Sequence, residues 1–359
     1  MISIIFGLLF LELIHSAWSV GDPWSRTATL NIVRDRRIEY EALSRDGEIL
    51  FKTVYTRDSF GLRGSCANAG EIAMITIGGS TTDQKYVGDG DTFQDVLKKE
   101  LEKFSGKKTC IANAGVDGHS TFGHIAAFNG WLPHIPNLEP SHILFYVGIN
   151  DAGFRDKPNF GFDTFELENE SSMWALVRKR SATYSALRIM RNIWVGTDRK
   201  RLYAAHSASI PQQIEYTEFN ETDNVQNLIN DNTGAFRHRF EILLQRVKSY
   251  RAKPIFVSQH HLFTRPIGNQ IGGIANVFTY KNKVYNGLDY DASIRSINAA
   301  MKVLCLKYDG YFIDIANKDF EISDFYDSIH MNNAGAKKLG NYIYQEIINQ
   351  NIILELKFH

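Results

Sequence analysis

Five short, mostly apolar runs, at 72–77, 109–113, 143–147, 254–258 and 311–315, constrain this chain more than any other feature. A strand with one wet face alternates apolar and polar residues. A run that stays apolar must be covered on both faces, as in a parallel sheet between two layers of helices. Helical stripes fall between and after the runs: Phe93, Val96, Leu97 and Leu101; Phe236, Phe240, Leu243, Leu244 and Val247; Ile294, Ile297, Met301 and Leu304; then Leu339, Ile343 and Ile347 behind Asn333, the expected cap. Strands alternating with helices predict an α/β fold of three layers, α/β/α. In such sheets ligands bind beyond the carboxyl ends of the strands.

The length of 359 residues suits one core domain with insertions. Residues 1–20 read as an apolar leader. Ser16, Ala17 and Ser19 suit a cleavage site, although no Lys or Arg precedes the apolar run, so a buried amphipathic helix is the alternative. Export to a secreted, periplasmic or cell-envelope location, or a membrane tether through the N-terminus, is the expectation. Residues 21–70 form a small β-rich extension, in which 36–43 and 48–56 flank the turn signal Asp46-Gly47. The main domain spans 71–350, interrupted by irregular insertions at 152–231 and 262–289. Within the first insertion, 172–194 reads as a helix with a basic face, and Asn169 and Asn220 each begin a glycosylation-type triplet.

Forty Lys and Arg balance forty Asp and Glu, which argues against a nucleic-acid partner. Cys66, Cys110 and Cys305 are too few for a disulfide framework or zinc cluster. Cys110 and Cys305 read as buried apolar thiols, and one bridge involving Cys66 stays open. No cofactor and no metal is expected.

Four motifs follow the strands in one order: Gly78-Gly79-Ser80-Thr81, Asn113 to Gly118, Gly148-Ile149-Asn150-Asp151 and Asp327-Ser328-Ile329-His330. Each alone also reads as an ordinary turn. Together they hold a hydroxyl nucleophile in Ser80, a base in His330, an orienting carboxylate in Asp327, and hydrogen-bond donors for an oxyanion in Gly118 and Asn150. A phosphate-cradling alternative lacks the lysine that follows a phosphate-binding glycine loop.

These four blocks resemble those of the SGNH (GDSL-type) hydrolase superfamily, across about residues 72–339 without the insertions. The resemblance implies a flavodoxin-like parallel five-stranded sheet and a Ser80, Asp327, His330 triad. It also implies an oxyanion hole from the Ser80 and Gly118 backbone amides and the Asn150 side chain. The first block reads Gly-Gly-Ser-Thr where the family pattern is Gly-Asp-Ser-Leu, so the serine is kept and the subfamily is not assigned. The implied activity is a serine esterase acting through an acyl-enzyme, with a small acyl ester such as a carbohydrate O-acetyl group preferred. An O-acyltransferase and a non-catalytic glycan-binding module are the alternatives. Gln259 and His260 after the fourth strand are expected to contact substrate; neighbouring strand residues such as His260 and His261 point oppositely and share a metal poorly.

Overall fold

The computed structural model describes residues 27–43, 49–64, 66–154 and 214–359, with isolated positions at 7, 12, 24, 181, 183, 184 and 187. Nearly all of the leader, its cleavage-site residues, the Asp46-Gly47 turn, the Asn169 triplet and nearly all of the basic helical segment at 172–194 lie outside the described residues.

The N-terminal extension supplies an antiparallel hairpin, β1 (Arg36–Leu43) and β2 (Ile49–Arg57), paired from Arg36↔Arg57 to Leu43↔Ile49. The five apolar runs become β3 (Met74–Gly78), β4 (Ile111–Asn113), β5 (His142–Tyr146), β7 (Lys253–Val257) and β12 (Tyr311–Ile313), after the short β6 (Thr217–Glu218) in chain position. All five lie parallel in one sheet, ordered β12-β7-β5-β3-β4. In chain order this is 2-1-3-4-5, the flavodoxin-like arrangement, whose direction of winding reverses at β3.

Alternate side chains of each strand enter opposite layers, because the strand period is two. Met74, Leu144, Tyr146, Ile255, Val257 and Ile313 meet α2 (Phe93–Ser105) and α6 (Asn333–Asn349), through Phe93, Leu97, Leu101, Leu339, Ile343 and Ile347. Ile75, Ile77, Ile143, Phe145 and Phe256 meet α3 (Thr121–Gly130), α4 (Val225–Ser249) and α5 (Gly287–Lys307). Leu97, Leu101 and Leu339 are fully buried, each worth about 1.5–3 kcal/mol against exposure. Helix ends follow local chemistry. Thr92 and Asp95 form a reciprocal cap on α2, which ends at Gly106 with φ +68°.

Three expectations are corrected. The cap of α6 is Asn332, not Asn333: its Oδ1 accepts from the Ala334 and Gly335 amides. Residues 262–289 are not irregular. They fold into two hairpins, β8 (Thr264–Ile267) with β9 (Gln270–Gly273) and β10 (Phe278–Tyr280) with β11 (Lys283–Tyr285), and β6 adds to β9. Cys110 is no free thiol; it is bonded to Cys66, their Cα atoms 5.5 Å apart, which ties the N-terminal extension to the start of β4. Cys305 remains a buried thiol.

Candidate active site

The loops after β3, β4 and β5 and the loop before α6 meet at the sheet's switch point, and they carry the four motifs. Ser80 opens α1 (Ser80–Asp83), a single turn whose backbone closes by Asp83 N donating to Gly79 O at 2.9 Å and Gln84 N to Ser80 O at 2.9 Å. Gly79 is required by close approach. A Cβ there would stand 2.5 Å from Asn150 Nδ2 and 2.9 Å from His119 O. The bare backbone therefore lets the nucleophile turn lie against the Asn150 amide.

His330 Nε2 lies 2.7 Å from Ser80 Oγ, and His330 Nδ1 lies 2.6 Å from Asp327 Oδ2. A carboxylate only accepts, so Nδ1 carries the proton and Nε2 is left to accept from the serine hydroxyl. The Ile329 and His330 amides both donate to Asp327 Oδ1, at 2.8 and 2.7 Å, which fixes the carboxylate in its own turn. The Tyr326 ring lies parallel to the imidazole and offset from it, 5.4 Å between centroids and 4° between planes. Residues 80 and 330, far apart in the chain, are thus joined through one hydrogen bond.

Electrostatics separate this histidine from four buried ones. Burial drives His119, His142 and His260 down to about 4, and drives His124 well below the ordinary value, so each is neutral. At His330 burial also pulls the pKa down, but the charge and hydrogen bond of Asp327, with Asp117 and Asp83 beyond it, raise it above the ordinary histidine value. Asp327 responds in the opposite sense. Burial pushes it up, while His330 and the two amides outweigh that and hold it below the usual carboxylate range.

Asn150 stands beside the nucleophile turn, its Nδ2 close to Gly79. Gly118 has φ +82°, a backbone conformation that favours glycine. Asn150 Nδ2 donates to His119 O at 2.8 Å, which fixes the amide plane; a primary amide carries a second N–H for a ligand. The Ser80 amide opens its helix, where backbone N–H groups have no partner within the helix. Beneath Asn150, the buried Asp151 accepts from Thr121 N at 3.1 Å, Thr121 Oγ1 at 2.5 Å and Arg239 Nη2 at 3.3 Å, locking this loop to α3 and α4.

The structure joins Ser80, His330 and Asp327 by hydrogen bonds and sets Asn150 against Gly79; Gly118 adjoins His119, whose carbonyl holds the Asn150 amide. It places Gln259 and His260 differently. Gln259 is fully buried, its backbone N–H and C=O both paired with the Asn298 side chain at 3.0 and 3.2 Å. His260 packs against both Phe320 and Phe325, with Nδ1 3.0 Å from Ala316 O. His261 turns to Asp291, Nε2 to Oδ1 3.2 Å.

Sequence reasoning passed over several residues that shape the site. Tyr326 adjoins Asp327 in the chain, and its position was the available signal. Arg57, Arg63 and Asp83 gave none, since charged residues near a hairpin normally read as surface. Among the described residues, no group of three or more His, Cys, Asp or Glu is placed to hold a metal, and no helix is long and apolar enough to cross a membrane.

No known family profile and no curated protein sequence matches this chain. Solved structures do resemble it at low identity. A protein described as lipolytic, of the G-D-S-L family, from Desulfitobacterium hafniense is 10% identical, with 76% of this chain and 98% of that one covered at a TM-score of 0.40. An acetylxylan esterase from Geobacillus stearothermophilus is 11% identical over 78% and 95% of the two chains, TM-score 0.43. A psychrotrophic esterase from Pseudoalteromonas is 10% identical over 78% and 99%, TM-score 0.39.

Proposed function

We propose that this chain is a serine hydrolase of the SGNH (GDSL-type) superfamily that cleaves carboxylic esters through an acyl-enzyme. The observation that carries the reading is the continuous relay Ser80 Oγ, His330 Nε2, His330 Nδ1, Asp327 Oδ2, with links of 2.7 and 2.6 Å. Ser80 Oγ attacks the ester carbonyl carbon as its proton passes to His330 Nε2. The carbonyl oxygen gains the negative charge and is received by the Ser80 and Gly118 amides and the Asn150 side chain. Collapse breaks the bond to the alcohol, which leaves with the proton from Nε2. Water, deprotonated by the same nitrogen, then attacks the acyl-serine and releases the acid.

A small acyl group on a carbohydrate is the preferred substrate. The support is aromatic. Tyr326 stacks on His330, Tyr86 meets Tyr326 edge-on at 5.9 Å, and Tyr40 meets Tyr86 edge-on at 5.1 Å, each ring partly exposed. Such a rim offers rings against which the C–H face of a sugar can lie. Gln259 and His260 receive no substrate role in this reading. Export is supported by the Cys66–Cys110 bridge, because disulfides persist in oxidising compartments.

Turnover of p-nitrophenyl acetate by wild type, Ser80→Ala and His330→Ala tests the assignment. Loss of a serine or its base costs on the order of a millionfold in kcat where the groups act as a unit, so both variants fall to background. Turnover at the wild-type rate in either variant rejects the reading.

A further inference from the structure

The N-terminal extension is in intimate contact with the two loops that carry Ser80 and Gly118, through side chains that the hydrolytic relay does not use. Arg57, at the end of β2, is 6% exposed, and its guanidinium serves five acceptors. Nε donates to Tyr55 Oη at 2.8 Å. Nη1 donates to Gly61 O at 2.8 Å and Asn113 O at 3.2 Å, and Nη2 to Asp83 Oδ1 at 2.5 Å and Gly115 O at 2.6 Å. One planar group therefore bonds the nucleophile turn, three residues after Ser80, and the start of the loop that leads to Gly118.

Arg63, 2% exposed, grips the same end of that turn through its backbone carbonyls. Its Nη1 donates to Asp83 O and Gln84 O, both at 2.8 Å, and its backbone bridges Asn113 in both directions, at 2.9 and 2.7 Å. The loop is held again on either side of Gly118. Asn31 Nδ2 donates to Asp117 O at 3.1 Å, and His119 Nε2, neutral and protonated there, donates to Leu30 O at 2.7 Å.

We infer that Arg57 is a positioning residue for ester cleavage, setting the distance between the Ser80 hydroxyl and the Gly118 amide by clamping their two loops together, with Asn31 as an auxiliary brace. The inference rests on the esterase reading. Its physical basis is the fork geometry of the guanidinium. Arginine can serve a carboxylate and a carbonyl at once, whereas a lysine ammonium is a point charge that cannot span both. A displacement of about 1 Å between reacting and stabilising groups costs about a hundredfold in rate.

The test compares kcat and KM for p-nitrophenyl acetate in wild type, Ser80→Ala, Arg57→Met, Arg57→Lys and Asn31→Ala. Each is assayed well below its own melting midpoint, and folded protein is confirmed by near-ultraviolet circular dichroism. Positioning predicts that kcat falls about a hundredfold in both Arg57 variants with KM little changed, that lysine does not rescue, and that Asn31→Ala falls less. A purely structural arginine lowers the melting midpoint and leaves kcat of the folded protein at the wild-type value, which overturns the inference. If the Arg57→Met chain does not fold, Arg57→Lys and Asn31→Ala decide: wild-type kcat in both overturns it. If Ser80→Ala keeps wild-type turnover, the esterase reading itself fails, and that outcome is distinct from an Arg57 effect absent in a Ser80-dependent enzyme.

Discussion

Cys66→Ser is expected to destabilise the fold by about 4 kcal/mol without impairing the native enzyme. The bridge to Cys110 spans 44 residues of sequence, a loop that contains β3, Ser80 and α2. Chain entropy for closing a loop of that length comes to about 13 cal/mol/K lost from the unfolded state, or about 4 kcal/mol at 25 °C. Cys66 is partly exposed, so serine adds little cost of its own in the native state, and Cys110 stays as the buried thiol that reduction would leave. Urea unfolding of wild type and variant, each with and without reductant, reads the difference. The account predicts a lower midpoint with an activity, measured where both are folded, that matches wild type. Reductant should lower wild type to the variant's stability and leave the variant where it was. A loss under about 1 kcal/mol refutes the loop-entropy reasoning, and three reactive thiols in the unreduced wild-type protein refute the bridge itself.

Two further outcomes follow from the site. His330 must be neutral at Nε2 to take the serine proton, and its pKa is raised by Asp327 despite burial, so the acidic limb of kcat/KM should lie above the ordinary histidine value of about 6.5; a limb below it contradicts the assigned electrostatics. Asn150→Ala removes an oxyanion donor and the bond to His119 O, and kcat should fall by about a hundred- to a thousandfold with esterase pH dependence retained; an unchanged kcat removes Asn150 from the hole.

Much of this architecture is legible in the chain because it depends on burial on both faces. The runs at 72–77 and 143–147 read as strands covered on both faces, and they lie within a residue or two of Met74–Gly78 and His142–Tyr146. The motifs were legible for a related reason: the first three begin where β3, β4 and β5 end, the fourth lies in the loop between β12 and α6, and parallel strands deliver all their ends to one rim. What was not legible depends on partners remote in sequence. Arg57 binds Asp83 Oδ1 and Gly115 O, 26 and 58 residues away, and only that combination makes burying its charge tolerable. The Cys66–Cys110 bridge likewise needs the extension folded back over β4. Gln259 shows the converse. Its place after a strand suggested the cleft, yet Asn298 of α5 takes its backbone and the side chain is enclosed. The hairpins of 264–285 escaped notice because their strands are only three or four residues long, too short for a two-residue period to emerge.

Intact-mass measurement after incubation with a fluorophosphonate tests the claim that Ser80 is an activated nucleophile. The account predicts one covalent adduct per chain, mapped to the peptide holding Ser80 and lost in His330→Ala, because only a hydroxyl with a base at hydrogen-bond distance reacts readily. A wild-type chain that remains unlabelled, or a label that forms on Ser80 at the same rate without His330, contradicts it.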